Sequence, residues 1–244
     1  MQDFIEAYRP TTFAEVLGNH HTKNIMKAWI ANGFRPRSIL LIGPYGLGKT
    51  SLARLMSERF ACLSSDTTSI ESCDKCYACT YPSNYVTEFD MPNTSIEQVR
   101  YHLRRYSRTV FTDTPILYFD ELQRWLIKSQ EMFLIPIDRL TNVQFIFSTT
   151  DLNAVDKGIL SRSTILYVNP PSVDELLQKM KLIAQEHKID ITEAAVIKTI
   201  KLARQTPRVC YKAMNFLLCI EGQITEEVLD REEIRKAIAW ETAI

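Results

Sequence analysis

Five short segments typical of β-strands recur along the first two-thirds of the chain, each ending in polar residues. The intervals between them leave room for a helix, and strands that alternate with helices predict a parallel sheet. One interval, 95–107, has apolar residues at helical spacing, and 122–135 is a second helical candidate. The predicted strands are 39–42, 86–89, 116–119, 144–148 and 165–168.

The pattern changes after Pro170-Pro171, which breaks the chain. Ser172 follows as a helix cap with Glu175 three residues later, and apolar positions then keep helical spacing to about residue 220. No further strand pattern appears in this part. The sequence therefore predicts an α/β domain over 1–169 and a small helical domain over 170–244.

Composition and charge narrow the class of protein. The 244 residues include 29 basic and 29 acidic side chains, and 45% are hydrophobic. This is the composition of a globular protein with a buried core, without an overall field that attracts nucleic acid. No run approaches the roughly 18 apolar residues that span a bilayer, and the N-terminus lacks the pattern of a signal peptide. We therefore expect a cytoplasmic protein without a membrane partner.

Residues 43–50 match the phosphate-binding pattern G-x-x-x-x-G-K-[ST], directly between a strand segment and a helical pattern. Glycines let successive backbone N–H groups face one anion, and the following helix adds the positive end of its dipole. Lys49 is expected to reach the β- and γ-phosphates, and Thr50 to offer its hydroxyl to Mg²⁺. The sequence thus predicts a site for ATP and Mg²⁺. The predicted nucleotide contacts are Gly46, Leu47, Gly48, Lys49, Thr50 and Ser51.

Asp120-Glu121 follows the predicted strand 116–119. Phosphoryl chemistry needs a carboxylate for the metal and a group that orients or deprotonates water. We expect Asp120 to hold Mg²⁺ and Glu121 to polarise the water. Acids often close strands for no chemical reason, so this interpretation depends on the phosphate-binding pattern. Thr150 ends the next strand and is a candidate sensor of the γ-phosphate.

Four of the six cysteines form one pattern, Cys62-x10-Cys73-x2-Cys76-x2-Cys79. Four thiolates at this spacing predict a closed tetrahedral zinc site, which is structural because no coordination position is left for a substrate. Disulfides are the alternative, disfavoured in a reducing cytoplasm. A redox C-x-x-C pair needs only two cysteines and would not explain the other two.

These features together resemble the γ/τ subunit family of bacterial DNA polymerase III clamp loaders, which are AAA+ ATPases. The resemblance covers essentially the whole chain and implies an AAA+ parallel five-stranded sheet with an inserted zinc module at 62–79 and a helical lid. The segment 8–18 is similar to the N-terminal box that closes over adenine in that family. The implied contacts are Tyr8, Arg9, Pro10, Val16 and Leu17.

Two arginines acquire roles only through this resemblance. Leu160-Ser161-Arg162-Ser163 resembles the Ser-Arg-Cys motif, with Ser163 in place of cysteine, and implies that Arg162 reaches a neighbouring subunit's ATP. Arg208 matches the sensor arginine of the lid, although Pro207 departs from the family pattern. The segment 134–138 also departs, because the family has an acidic Leu-Glu-Glu-Pro-Pro stretch there.

Arg100 and Arg104 lie one turn apart on the helix predicted over 95–107, opposite its apolar face. Such a stripe is often a solvated helix face, and it also suits a phosphate backbone. In clamp loaders the helices of this region face the central DNA. The resemblance therefore implies DNA contacts for these two arginines.

The implied function is an ATP-hydrolysing clamp-loader subunit that couples ATP to loading of a sliding clamp on primer-template DNA. Its partners would be other clamp-loader subunits, the clamp and the DNA. One alternative is a different AAA+ replication switch, such as a helicase loader or a phage or mobile-element protein. Another is a stator subunit that does not hydrolyse ATP, although Lys49 and Glu121 argue against it.

Overall fold

The computed structural model describes residues 3–108 and 114–239. Its strands are β1 (Ser38–Ile42), β2 (Val86–Asp90), β3 (Ile116–Asp120), β4 (Gln144–Thr149) and β5 (Thr164–Tyr167). Its α-helices are α1 (Phe4–Ala7), α2 (His20–Ala31), α3 (Lys49–Ala61), α4 (Tyr77–Thr80), α5 (Ile96–Arg108), α6 (Ile127–Gln130), α7 (Leu134–Arg139), α8 (Lys157–Arg162), α9 (Val173–Glu186), α10 (Glu193–Leu202), α11 (Pro207–Leu217), α12 (Glu226–Asp230) and α13 (Glu232–Ala239).

The five strands form one parallel sheet in the order β2-β3-β4-β1-β5. Every residue of β1 and β4 is buried, as a strand covered on both faces requires. The predicted parallel five-stranded sheet is confirmed, and each predicted strand end lies within one residue of the observed end.

Aromatic packing holds the α/β core together. The ring of Phe119 in β3 stacks on Phe89 of β2 and Phe147 of β4, with centroid distances of 4.8 and 5.2 Å. α5 buries Val99 and Leu103 against this cluster, which confirms the helix predicted over 95–107. These side chains fill the space between α5 and the β2, β3 and β4 strands.

The segment 122–135, predicted as one helix, is broken into short turns. Trp125 is extended, with φ −94° and ψ 143°. The buried side-chain amide of Gln130 donates to the carbonyls of Leu122, Trp125 and Ala154 at 3.3, 2.9 and 2.8 Å. One side chain satisfies these three carbonyls, so they need no continuous helix. The prediction of a single helix over 122–135 is therefore wrong, because a contact with a distant segment replaces the local helical hydrogen bonds.

The chain divides into two compact units. The α/β unit comprises 20–44 and 49–168, and the helical unit comprises 3–19, 45–48 and 169–239. The predicted division into domains at residue 169 stays a prediction.

In the helical unit, α9, α10 and α11 enclose an apolar core into which α1 inserts Phe4. The predicted cap at Ser172 is present: its hydroxyl accepts from the Glu175 N–H, and the Glu175 carboxylate accepts from the Ser172 N–H. Among the described helices, none combines the length and the apolar character that crossing a bilayer requires.

Candidate nucleotide-binding site and metal centre

The predicted site residues lie at the carboxyl ends of three neighbouring strands, at one edge of the sheet. β3, β4 and β1 are adjacent and parallel, so their carboxyl ends lie together. β3 ends at Asp120, β4 at Thr149, and β1 leads into the loop that begins at Gly43. The sheet topology alone therefore assembles the groups that the sequence separates by about a hundred residues.

Lys49 begins α3 and is almost fully buried, with 8% of its surface exposed. Its Nζ donates to the carbonyls of Gly43 and Pro44 at 2.7 and 2.8 Å. A side chain at Gly43 would meet the Val168 carbonyl at 2.4 Å, so only glycine lets the loop leave β1 along this path. The lysine ammonium is thereby held at the start of the loop and at the positive end of a helix.

The middle of the loop belongs to the helical unit, where it contacts the sensor candidate. Gly46 and Gly48 have φ values of 76° and 87°, which residues that carry a side chain rarely adopt. The Arg208 N–H donates to the Gly46 carbonyl at 3.4 Å, and a Cβ on Gly46 would lie 2.7 Å from the Thr206 methyl group. Leu47 is buried, with 4% exposed. The structure thus brings Arg208 next to the predicted phosphate-binding glycines.

Thr50 and Asp120 meet directly. The Thr50 Oγ1 donates to Asp120 Oδ2 at 2.7 Å, and Ser51 beside it is buried. The other carboxylate oxygen, Oδ1, accepts from the hydroxyl of Ser148 on β4. A hydroxyl and a carboxylate are the hard oxygen ligands that Mg²⁺ prefers, so the donor set fits the predicted metal.

Glu121 has a left-handed backbone with φ 59° and ψ 49°, which is uncommon for a residue other than glycine. Its N–H donates to Ser148 Oγ and Asp120 Oδ1, both at 3.1 Å. Its carboxylate is 31% exposed and forms an ion pair with Arg124 at 3.0 Å. Backbone strain of about 1–3 kcal/mol at such a position is characteristic of functional sites. The geometry turns the carboxylate out of β3 toward solvent.

Thr150 is half-buried at the end of β4. Its N–H donates to the side-chain carbonyl of Gln123 at 3.3 Å. Thr149 is fully buried and donates to the Asp151 carbonyl at 3.0 Å. Of the two threonines, Thr150 therefore has the more accessible side chain at this edge.

The N-terminal box packs within the helical unit. The Tyr8 hydroxyl donates to Glu186 Oε2 at 2.7 Å and lies 2.7 Å from His187 Nε2. Burial and the Glu186 hydrogen bond raise the pKa of Tyr8 to about 12. Arg9 and Pro10 are half-buried. The tyrosine hydroxyl is thus fixed by α9 and the residue after it.

Val16 and Leu17 complete the same segment. Val16 is 5% exposed, and Leu17 packs against the apolar core of the helical unit. The N–H of Gly18 donates to Glu175 at 2.9 Å, which ties the segment to the start of α9. Hydrogen bonds from Tyr8 and Gly18, together with the packing of Tyr8 and Leu17 on the apolar core, therefore fix the predicted adenine-binding segment on the helical unit.

Arg162 ends α8, and its guanidinium is tied within the α/β unit. Its Nε lies 2.9 and 3.0 Å from the two carboxylate oxygens of Asp138, and NH1 donates to the Gly158 carbonyl at 3.1 Å. The arginine side chain is 35% exposed. The sequence did not indicate Asp138 as its partner, because the two residues lie on different helices.

Arg100 and Arg104 are exposed on α5, opposite the buried Val99 and Leu103. The predicted stripe on a solvent-facing helix surface is therefore present. Its role in binding DNA stays a prediction.

The four predicted zinc ligands form one cluster. The sulfur atoms of Cys62, Cys73, Cys76 and Cys79 all lie within 4.8 Å of one another. The contacts from Cys76 to Cys79 and to Cys62 measure 3.4 and 3.9 Å. A tetrahedral zinc site with bonds of about 2.3 Å separates its sulfurs by about 3.8 Å. All four cysteines are free, so the described structure contains thiols here and no disulfide.

Backbone groups around the cluster favour thiolates. The N–H groups of Lys75 and Cys76 lower the pKa of the Cys73 thiol. The Leu63 N–H donates to Cys76 Sγ at 3.4 Å, and the Cys73 N–H donates to Cys62 Sγ at 3.4 Å. N–H donors to sulfur are typical of bound thiolates, and the ligand set fits zinc.

The fold and site define a nucleotide-binding ATPase domain. Residues 39–170, more than half of the chain, match the ATPase family associated with various cellular activities (AAA). The chain belongs to this family.

Its relatives include replication proteins. The DNA polymerase III subunit gamma/tau of Mycoplasma genitalium is 28% identical over 214 residues, which cover 85% of this chain and 36% of that protein. The Replication factor C small subunit of Methanococcus maripaludis is 20% identical over 93% of this chain and 68% of that protein. These relatives confirm the γ/τ resemblance, and the chain spans about a third of the γ/τ relatives' length.

Among solved structures, the RuvB Holliday junction branch migration motor of Thermotoga maritima has a TM-score of 0.63 and 20% identity to this chain. The match covers 95% of this chain and 72% of that one. At this identity the likeness concerns the fold.

Sequence reasoning missed several residues of the site. Ser148, Gln123 and Arg124 contact Asp120, Thr150 and Glu121 respectively. Ser148 carries one signal, because it is a polar residue directly after the apolar run Phe145-Ile146-Phe147 of β4.

Proposed function

We propose that this chain is an ATP-binding and hydrolysing subunit of a clamp loader, which couples ATP to the loading of a sliding clamp on primer-template DNA. The observation that carries the ATPase part is the 2.7 Å contact between Thr50 Oγ1 and Asp120 Oδ2 beside the buried Lys49. The γ/τ and Replication factor C relatives support the clamp-loader part.

The geometry supports the following hydrolytic roles. Lys49 binds the β- and γ-phosphates together with the N–H groups of the loop, including those of Gly46, Leu47, Gly48 and Ser51. Thr50 and Asp120 hold Mg²⁺, which neutralises phosphate charge when bound. Glu121 orients and deprotonates the attacking water, because its carboxylate is turned out of the sheet and is partly exposed.

Two side chains beside the phosphate loop sense the γ-phosphate of ATP. Thr150 detects the γ-phosphate from the end of β4. The Arg208 backbone contact with Gly46 supports a role for this arginine as the sensor of the helical unit. Tyr8, Arg9, Pro10, Val16 and Leu17 form the adenine-binding segment.

Arg162 acts on the ATP of a neighbouring subunit. It is exposed enough to be reached, and its NH1 and Nε are held by partners of its own chain. An arginine finger supplied in trans is worth about 10³–10⁵ in rate. We therefore expect an isolated chain to hydrolyse ATP slowly.

The remaining features concern assembly. Cys62, Cys73, Cys76 and Cys79 bind one structural Zn²⁺, and Arg100 and Arg104 contact the DNA backbone. Partners are other clamp-loader subunits, the clamp and primer-template DNA. The replication proteins among the relatives support a cytoplasmic location.

The test is the rate of ATP hydrolysis at increasing protein concentration, with and without primer-template DNA and a bacterial sliding clamp. We expect the rate per chain to rise with concentration and to rise further when DNA and clamp are both present. Lys49→Ala abolishes hydrolysis, while Lys201→Ala, an exposed lysine of α10, has no effect.

Other outcomes separate the alternatives. A chain that binds ATP but stays inert under every condition is a stator, and the hydrolysis proposal fails. A chain whose hydrolysis responds to concentration but not to DNA and clamp is a different AAA+ switch, and the clamp-loading proposal fails.

A further inference from the structure

Tyr118 carries a hydroxyl that the site described above does not use. It lies on β3 two residues before Asp120, so both side chains project from the same face of the sheet. That face is covered by α3, whose first turn contains Thr50. Tyr118 is 0% exposed and is among the largest fully buried side chains of the described chain.

The Tyr118 hydroxyl lies beside polar groups but is not hydrogen-bonded to them. Asp120 acts on it through its charge, and Asp120, Ser148 and Thr50 are hydrogen-bonding groups close to it, yet within residues 3–108 and 114–239 none of them has the full geometry of a hydrogen bond to this hydroxyl. A tyrosine hydroxyl is protonated at neutral pH, so this group is a hydrogen-bond donor. A buried hydroxyl without a partner is costly and rare.

The hydrogen bonds of the site leave an acceptor position on Ser148 for this donor. Ser148 Oγ donates to Asp120 Oδ1 and accepts the Glu121 N–H. A hydroxyl oxygen has two lone pairs, so Ser148 retains one free acceptor position. The nearby cation Arg54 is engaged elsewhere, because its Nε and NH2 donate to the Glu88 carboxylate at 2.9 and 2.8 Å. Ser148 thus offers Tyr118 a neutral acceptor on the side chain that itself donates to the Oδ1 atom of the metal-binding carboxylate.

We propose that Tyr118 is a positioning residue for Asp120: its hydroxyl donates to Ser148 Oγ when Mg²⁺-nucleotide binds. The resulting chain of donors runs from Tyr118 to Ser148 to Asp120 Oδ1. It fixes the orientation of the carboxylate from beneath and leaves Asp120 Oδ2 and Thr50 facing the metal site. The inference rests on the proposed ATP-binding function and adds a residue to it.

The experiment measures the dissociation constant of a fluorescent, non-hydrolysable ATP analogue, in Mg²⁺ and in EDTA, for the full chain. Tyr118→Phe is expected to weaken binding in Mg²⁺ by about three- to tenfold, the effect of one lost hydrogen bond. Binding in EDTA should not change. The thermal midpoint without nucleotide should equal or exceed that of the wild type, because the variant removes an unpartnered buried hydroxyl.

Two further variants sharpen the result. Tyr106→Phe is the matched control, a buried tyrosine of α5 whose hydroxyl lies 3.2 Å from Thr87 and outside the site, and its Mg²⁺-dependent binding should match the wild type. In a Ser148→Ala background, Tyr118→Phe should add less than about twofold, because residues of one hydrogen-bond chain are not additive.

Three results would overturn the proposal. These are unchanged binding of Tyr118→Phe in Mg²⁺, equal weakening in Mg²⁺ and EDTA, and full additivity with Ser148→Ala. A wild type that does not bind the analogue would overturn the proposed function itself, whereas a wild type that binds with Tyr118→Phe unchanged would overturn only the role of Tyr118.

Discussion

The guanidinium of Arg162 is paired within its own chain, with its Nε 2.9 and 3.0 Å from the carboxylate oxygens of Asp138. The two side chains are 35% and 53% exposed. Ion pairs at such exposure contribute about 0–1 kcal/mol to stability. Asp138 lies in the segment where the chain departs from the acidic clamp-loader pattern, and it competes with any anion that Arg162 meets in a neighbouring subunit.

Asp138→Asn should therefore raise the concentration-dependent rate of ATP hydrolysis by up to about fivefold, because the variant removes a competitor worth about 1 kcal/mol or less. The free energy of unfolding, measured by denaturant titration, should change by less than about 1 kcal/mol. The double variant Asp138→Asn with Arg162→Ala should show no increase. A rate that falls to that of Arg162→Ala would mean instead that Asp138 positions the arginine.

Ser148→Ala should impair both the site and the fold. Ser148 is 0% exposed, and its truncation deprives the Glu121 N–H of an acceptor and Asp120 Oδ1 of a donor. We expect the free energy of unfolding to fall by about 1–3 kcal/mol, measured by denaturant titration, and kcat to fall by about tenfold.

The matched control for that variant is Ser57→Ala. Ser57 is also 0% exposed, but its hydroxyl donates to the Ala53 carbonyl within α3, away from the acidic pair. Its kcat should stay at the wild-type value. If Ser148→Ala and Ser57→Ala lose equal stability and keep equal kcat, Ser148 has no part in the site.

The cysteine cluster predicts one zinc per chain. Cys76→Ser should lower the zinc content, measured by elemental analysis, to a small fraction and lower the thermal midpoint, since metal-binding free energy in such modules is folding free energy. Cys219→Ser, at an exposed cysteine of the helical unit, should keep both values. A wild type purified without chelators that contains no metal, or a Cys76→Ser variant with undiminished zinc, would contradict the zinc assignment.

Local patterns in the sequence predicted the sheet and α5 well. The strands β1, β3, β4 and β5 contain short apolar runs, and Val99 and Leu103 repeat at helical spacing, so burial there follows directly from the order of residues. The phosphate-loop pattern and the cysteine cluster could also be recognised in the sequence. Their chemistry depends on residues close together in the chain.

Contacts between distant residues could not be predicted in the same way. The amide of Gln130 breaks the helix expected over 122–135 by pairing with Ala154, a residue from another turn. Ser148 enters the site only because β4 lies beside β3, and Asp138 meets Arg162 across two helices. No local pattern of polar and apolar residues encodes these partnerships.

On the proposed function, Glu121 activates the water that attacks ATP, and an arginine from the next subunit assists the reaction. Mixing Glu121→Gln and Arg162→Ala chains, each nearly inactive alone, tests it directly by the rate of ATP hydrolysis. We expect the mixture to hydrolyse ATP well above the sum of the two separate rates, because the Glu121→Gln chain supplies its intact Arg162 to the intact site of the Arg162→Ala chain. A mixture no faster than that sum, or an Arg162→Ala chain as fast as the wild type, would contradict it.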